Sequence, residues 1–321
     1  MGAIGTSESA AGRASSGRGR GRRTRSMDAA ERNREGIYGK FLFPALLLYT
    51  AVVVLPSLAG TVISFGRWHG PGDKFRWAGL DNYRRLFGDD AFRTAFVNTA
   101  VLLVAGGVGV FVVTFLLMIV LREMRGQAFL RSVLFLPTVV SVIAVGTAIG
   151  FFLDPNGGLN SFLNAIGAGG LTHVWLGPDL IFRMILIGFV WLSTGFYVVL
   201  FMSAVDGIPP YLYEDARLVG ATKLQQFWHI TLPLTWDIFS IAAILWVING
   251  LRVFDIVIAF VGTTGSPPVE ARTIAFEQYL IVTQAGELGY GAAMGIAILL
   301  LTVVLILLIR RLTRRESVEL S

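Results

Sequence analysis

Six long apolar runs set the limits on what this chain can become. They lie at about Phe41–Phe65, Thr94–Val120, Ser132–Leu153, Leu180–Ala204, Leu234–Phe260 and Gly289–Ile309. Each holds roughly 20 to 27 residues, enough to cross a hydrocarbon core of about 30 Å with some tilt. The runs are continuous and do not alternate polar with apolar at period two. Helices therefore satisfy them and a barrel does not. Only 15% of the residues are charged and the mean hydropathy is +0.67, against about a quarter charged in soluble domains. The expected fold is an all-α integral membrane protein with six transmembrane helices.

Charge sets the orientation. Of the 27 Lys and Arg residues, 18 fall before the first run, between runs two and three, between four and five, and after the sixth; seven fall in the other three segments. By the positive-inside rule, both termini and the segment between runs four and five are cytoplasmic. Residues 1–36 are Gly, Ser, Ala and Arg with almost no large apolar side chain. Such a segment cannot bury enough surface to fold, so a disordered basic tail that sets topology is expected, not a nucleic-acid arm. The first run is long enough to span and no small-residue site ends it, which favours an uncleaved span over a signal peptide. With no cysteine in the chain, disulfides and thiolate sites are excluded. His69, His173 and His229 are too scattered for a metal site.

The 24 residues from Tyr211 to Leu234 are mixed and charged, though long apolar runs flank them. Leu212, Ala216 and Val219 share one helical face, and Glu214 and Arg217 are spaced to pair on another. Pro209 and Pro210 precede this helix, Gly220 can end it in a left-handed cap, and Thr222 with Gln225 forms a capping box for a second helix. A helix–Gly–helix held between two spans is a docking surface rather than a flexible connector.

These residues resemble the cytoplasmic "EAA" loop of permease subunits of ATP-binding-cassette (ABC) importers. That pattern is E-A-A-x-x-x-G followed by I-x-L-P; here it is Glu214, Asp215, Ala216, Gly220, Ile230, Leu232 and Pro233. Asp215 replaces the first Ala, and Val219 replaces an Asp common before the Gly. Three further stretches extend the likeness: WAGLDNYRRLFGD after the first run, LRVFDIVIAFVGTTGSP with Arg252, Phe254, Asp255, Thr264, Gly265 and Pro267, and LGYGAAM at Leu288–Met294. Ser266 stands where the second Gly is usual. Together they resemble the first permease of maltose-type carbohydrate importers over nearly everything after residue 40. The resemblance implies a cytoplasmic coupling helix between helices four and five, a second and different permease chain, paired ATP-binding subunits and an extracytoplasmic solute-binding protein. It also implies a multi-pass protein of a prokaryotic cell membrane. The segments expected are a tail (1–36), a first span with an outer segment (37–93), a permease domain (94–310) and a cytoplasmic tail (311–321).

The chain carries no G-x-x-x-x-G-K-[ST], G-x-S-x-G or H-E-x-x-H motif. It is expected to hold no cofactor and to be no enzyme, with ATP bound by a separate subunit. On the resemblance, Glu214, Asp215, Ala216, Gly220, Leu232 and Pro233 would form the ATPase dock. Polar residues inside spans are costly and mark functional candidates. Sugars are held by hydroxyl hydrogen bonds and by aromatic rings against their C–H faces. Trp191, Tyr197, Trp246 and Asn249 suit that chemistry, with Asp255 close by. Gln278 is added because the resemblance places part of the sugar site in the outer helix before the last span. Each also has a structural reading: Trp and Tyr mark interfaces, Ser193 and Thr194 can bond backbone, and Arg252 and Asp255 are spaced to pair. Rival solutes are glycerol phosphate, which would ask for a cationic site, and polyamine, which would ask for several buried acids. Rivals of another class are a secondary transporter and an intramembrane enzyme; no internal repeat or clustered acid–base set supports either.

Overall fold

The computed structural model describes residues 42–262 and 268–314. The basic tail 1–36 and the Thr264–Pro267 part of the signature lie outside them. The chain divides into two compact units, one to Gly60 and the other from Thr61.

Among the described residues, five helices are long and apolar enough to cross a membrane, or six if one bent pair is a single span. The first is α1 (Leu42–Ser64). A two-stranded hairpin of β1 (Gly66–Arg67) and β2 (Arg76–Trp77) follows, then the short α2 (Asp81–Gly88). Next comes α3 (Asp90–Leu121), started by Asp89, whose carboxylate accepts from the Ala91 and Phe92 amides.

The expected third span, Ser132–Leu153, is not one helix. It divides into α4 (Gln127–Val139) and α5 (Val142–Leu153), because Val140 is extended at φ −78°, ψ 148° and Ser141 is non-helical. Helix α4 runs through Pro137 to Val139, and the break follows where the β-branched Thr138, Val139 and Val140 favour extended backbone. After a turn comes α6 (Gly158–Ala165), and the stretch Val142–Ala165 is the third candidate span. The fourth is α7 (Ile181–Val205), as expected to within a residue.

The expected fifth span, Leu234–Phe260, is also interrupted. After α8 (Pro210–Leu218), α9 (Lys223–Leu234) meets α10 (Trp236–Leu251) at a 77° bend on Thr235. Helix α10 stops at Arg252, and α11 (Asp255–Val261) begins after Phe254. Arg252 and Phe254 leave helical geometry together, and the Val253 carbonyl accepts instead from Thr273 Oγ1 at 2.6 Å. Helices α12 (Ile274–Thr283) and α13 (Leu288–Thr313) complete the described chain.

Helix α7 is the hub, packed by α3 and α4, while α5 packs on α11 and both α10 and α12 pack on α13. In lipid, close approach of backbones replaces the hydrophobic driving force. At the α4–α7 crossing, Gly195 lies so close that a Cβ there would overlap the Leu134 carbonyl oxygen. Elsewhere α3 forms a π-turn at Leu102–Gly106, and the Leu103 carbonyl, which accepts from the Gly107 amide, also accepts from the Trp246 indole at 2.8 Å.

Candidate functional site

The two interruptions meet at one cavity of about 430 Å³. Pro137, Thr138 and Val142 line it from the α4–α5 break, Asn249, Arg252, Phe254 and Asp255 from the α10–α11 break, and Phe189, Ser193, Phe196 and Tyr197 from the middle of α7. Irregular backbone at membrane depth is tolerated where it lines such a cavity, and broken helices at a midplane site are common in transporters. The wall mixes three phenylalanine rings with three hydroxyls, an amide, a guanidinium and a carboxylate. Tyr197 is buried, and its hydroxyl has no hydrogen bond of standard geometry, with Asn249 facing it. Asn249, Arg252 and Asp255 are exposed to the opening. Arg252 and Asp255 do not pair with each other, so the helix-spacing expectation fails at the break between them.

Of the six candidates from sequence, Tyr197, Asn249 and Asp255 come together here. Trp191 sits half-exposed on the opposite face of α7, in an apolar groove with α3 and α4. Trp246 is buried, bonded to Leu103 and packed against Phe189 and Tyr197. Gln278 donates to the Gly291 carbonyl at 3.0 Å and ties α12 to α13. Phe254 belonged to the signature stretch, but Phe189 and Phe196 had no distinguishing signal among 23 phenylalanines; only the breaks place them.

The loop from α8 to α9 is the second feature. Helix α8 ends in a Schellman turn: Gly220 has φ +80°, Ala221 N donates to Ala216 O at 2.9 Å, and Gly220 N donates to Arg217 O at 3.0 Å. Thr222 and Gln225 form the reciprocal capping box. Glu214, Asp215, Leu218 and Val219 point outward, the last two 85% and 84% exposed. The buried residue of α8 is Tyr213, not the Leu212–Ala216–Val219 face; Leu212 and Ala216 are half-buried. Tyr213 shares a 3.0 Å hydrogen bond with Thr231, and the Arg122 guanidinium lies 3.1 Å over its ring. Leu232 is half-buried and Pro233 exposed. Arg217 does not pair with Glu214; it reaches Glu123 at 3.1 Å. Two tightly held surfaces thus flank the α7–α10 pair, one concave and one outward-facing.

No protein-family model matches the chain. The probable ABC transporter permease protein YurN of Bacillus subtilis is 32% identical over 274 residues, covering 84% of this chain and 92% of that protein. The diacetylchitobiose uptake system permease protein NgcF of Streptomyces coelicolor is 32% identical over 293 residues, covering 85% and 82%. This chain belongs to the carbohydrate-uptake family of ABC transporter permeases. A crystal structure of a bacterial ABC transporter that imports the acidic polysaccharide alginate contains a chain of the same fold. Its TM-score is 0.78 at 23% identity, over 89% of the permease and 98% of that chain. The permease is a multi-pass membrane protein and a transport subunit, not an enzyme.

Proposed function

We propose that the permease forms half of the translocation path for a mono- or oligosaccharide and draws on ATP hydrolysed by a separate subunit pair. The observation that supports this most is the cavity where α4–α5 and α10–α11 both break. Its volume lies within the usual 300–1,000 Å³ of small-molecule sites. Tyr197, Asn249 and Asp255 offer hydroxyl-bonding groups, and Phe189, Phe196 and Phe254 offer apolar faces. NgcF, named for diacetylchitobiose uptake, supports a sugar as cargo.

On this reading six helices cross the membrane, with α9 and α10 bent at Thr235 around the fifth, and both termini face the cytoplasm of a prokaryotic cell. Helix α8 is then the cytoplasmic coupling helix between helices four and five. It presents Glu214, Asp215, Leu218 and Val219 to a groove of the ATPase, while Ala216, Gly220, Leu232 and Pro233 shape the loop behind them. Closure of the ATPase pair on ATP moves α8, and the cavity opens to alternate sides by rigid-body rocking. A second permease chain supplies the other half of the path, and a solute-binding protein delivers the sugar. The permease itself binds neither ATP nor any other cofactor, and no nucleic acid.

The test is uptake into proteoliposomes holding the permease with its partner subunits, using labelled lactose, diacetylchitobiose and maltotriose as probes. ATP-dependent uptake of at least one, lost on mutating Asn249 and Asp255 together, supports the proposal. Gradient-driven uptake by the permease alone contradicts it.

A further inference from the structure

The loop is fastened to a helix that is distant in sequence. Glu123, just beyond the end of α3, sits between two cations: Lys223 Nζ at 2.6 Å and Arg217 Nη2 at 3.1 Å. Arg217 belongs to the last turn of α8 and Lys223 to the first turn of α9. One carboxylate therefore bridges both helices across Gly220, the residue at which they would pivot. The neighbouring Arg122 covers the Tyr213 ring at 3.1 Å, and Tyr213 holds Thr231 in α9. A second clamp lies beside it: Arg131 of α4 donates to both carboxylate oxygens of Asp206, at 2.6 and 3.1 Å, where α7 ends and the loop begins. The chain connects α8–α9 only to α7 and α10. The Glu123 pairs add α3, and the Arg131–Asp206 pair ties α4 to the end of α7.

We infer that Glu123 is a positioning residue that locks the Gly220 hinge, so that α8, α9 and the inner end of α3 move as one body. This rests on the coupling-helix reading above. Its consequence is specific. Without Glu123 the ATPase still docks on α8, but part of the α8 displacement is absorbed by bending at Gly220 and does not reach α3.

The absence of native cysteine makes the test direct. Cysteines at Tyr211 of α8 and Val108 of α3, both exposed, carry spin labels in the full importer with its partner subunits. Distances are read with no nucleotide and with ATP plus vanadate. In the parent chain the 211–108 distance stays narrow and unchanged between the two states. In Glu123→Gln it broadens, and sugar moved per ATP hydrolysed falls by about two- to fivefold, the range for losing such a pair. Arg217→Gln/Lys223→Gln gives the same phenotype, and adding Glu123→Gln to it changes nothing further. A merely structural role would lower the amount of inserted complex and leave the transport-to-hydrolysis ratio alone. An unchanged distance distribution and ratio in Glu123→Gln overturns the inference. Glu214→Ala/Leu218→Asp separates the two levels. If that variant keeps its ATPase and its uptake, the coupling reading itself fails; if it loses both while Glu123→Gln is silent, only the latch fails.

Discussion

Gly195→Ala tests whether backbone contact between α4 and α7 shapes the cavity. A Cβ at Gly195 overlaps the Leu134 carbonyl oxygen. An ordinary carbon–oxygen contact needs about 3.3–3.6 Å, so the α4 backbone must withdraw by about 1 Å or more. A carbonyl cannot rotate aside as a side-chain tip can, so the upper part of the about 1–3 kcal/mol range for overpacking applies. Alanine returns about 0.8–1 kcal/mol of helix propensity. The net loss expected is about 1–2 kcal/mol. The effect reaches the site because α4 carries Pro137 and Thr138, and Thr138 donates to the Leu192 carbonyl at 3.3 Å. Thermal unfolding of the detergent-purified protein reads the stability, and uptake at several sugar concentrations reads the site. Gly60→Ala is the control: nothing lies within 4 Å of its Cβ, so it should be neutral or slightly stabilising. If Gly195→Ala unfolds with the parent chain and transports with an unchanged KM, the close α4–α7 contact does not define the cavity.

Tyr213→Phe leaves the buried Thr231 hydroxyl without its partner, which should cost about 1–2 kcal/mol, seen as easier proteolysis of the 210–234 loop. Tyr197→Phe should raise KM for uptake several-fold with little change in unfolding temperature, since its hydroxyl has no hydrogen bond of standard geometry to lose. The latch has a pH signature. The ion pair with Lys223 holds the Glu123 carboxyl below its usual range, against the opposing effect of burial. A lowered carboxylate pKa gives stability present above the unfolded value and lost as pH falls through the folded one. Loop mobility, measured by spin-label lineshape at Leu218, should therefore stay flat from about pH 8 down to about pH 5 and rise only below the ordinary carboxylate range.

The sequence carried most of the frame because spans and caps are local properties. Hydropathy located α1, α3, α7 and α13, and Gly220 and the Thr222–Gln225 pair announced their turns. The breaks were harder to see. The run Leu234–Phe260 is apolar on average despite Arg252, and the interruption there depends on the Thr273 hydroxyl, about twenty residues on, donating to the Val253 carbonyl. Pro137 was visible, but α4 runs on through it and the break falls three residues later. The cavity inherits this limit: Tyr197, Asn249 and Asp255 were found by polarity, while Trp191, Trp246 and Gln278 have the same chemistry but point elsewhere. The Glu123 latch joins residues about ninety positions apart, and no periodicity links them.

The central claim is that the surface of α8 meets an ATP-hydrolysing partner on the cytoplasmic side. Leu218→Cys in the otherwise cysteine-free chain tests it by cross-linking in membranes of known sidedness. The account predicts labelling only from the cytoplasmic face, a cross-link to the ATPase subunit, and a change in its yield on adding ATP. Labelling from the outer face, or a cross-link to the solute-binding protein and none to the ATPase, would contradict it.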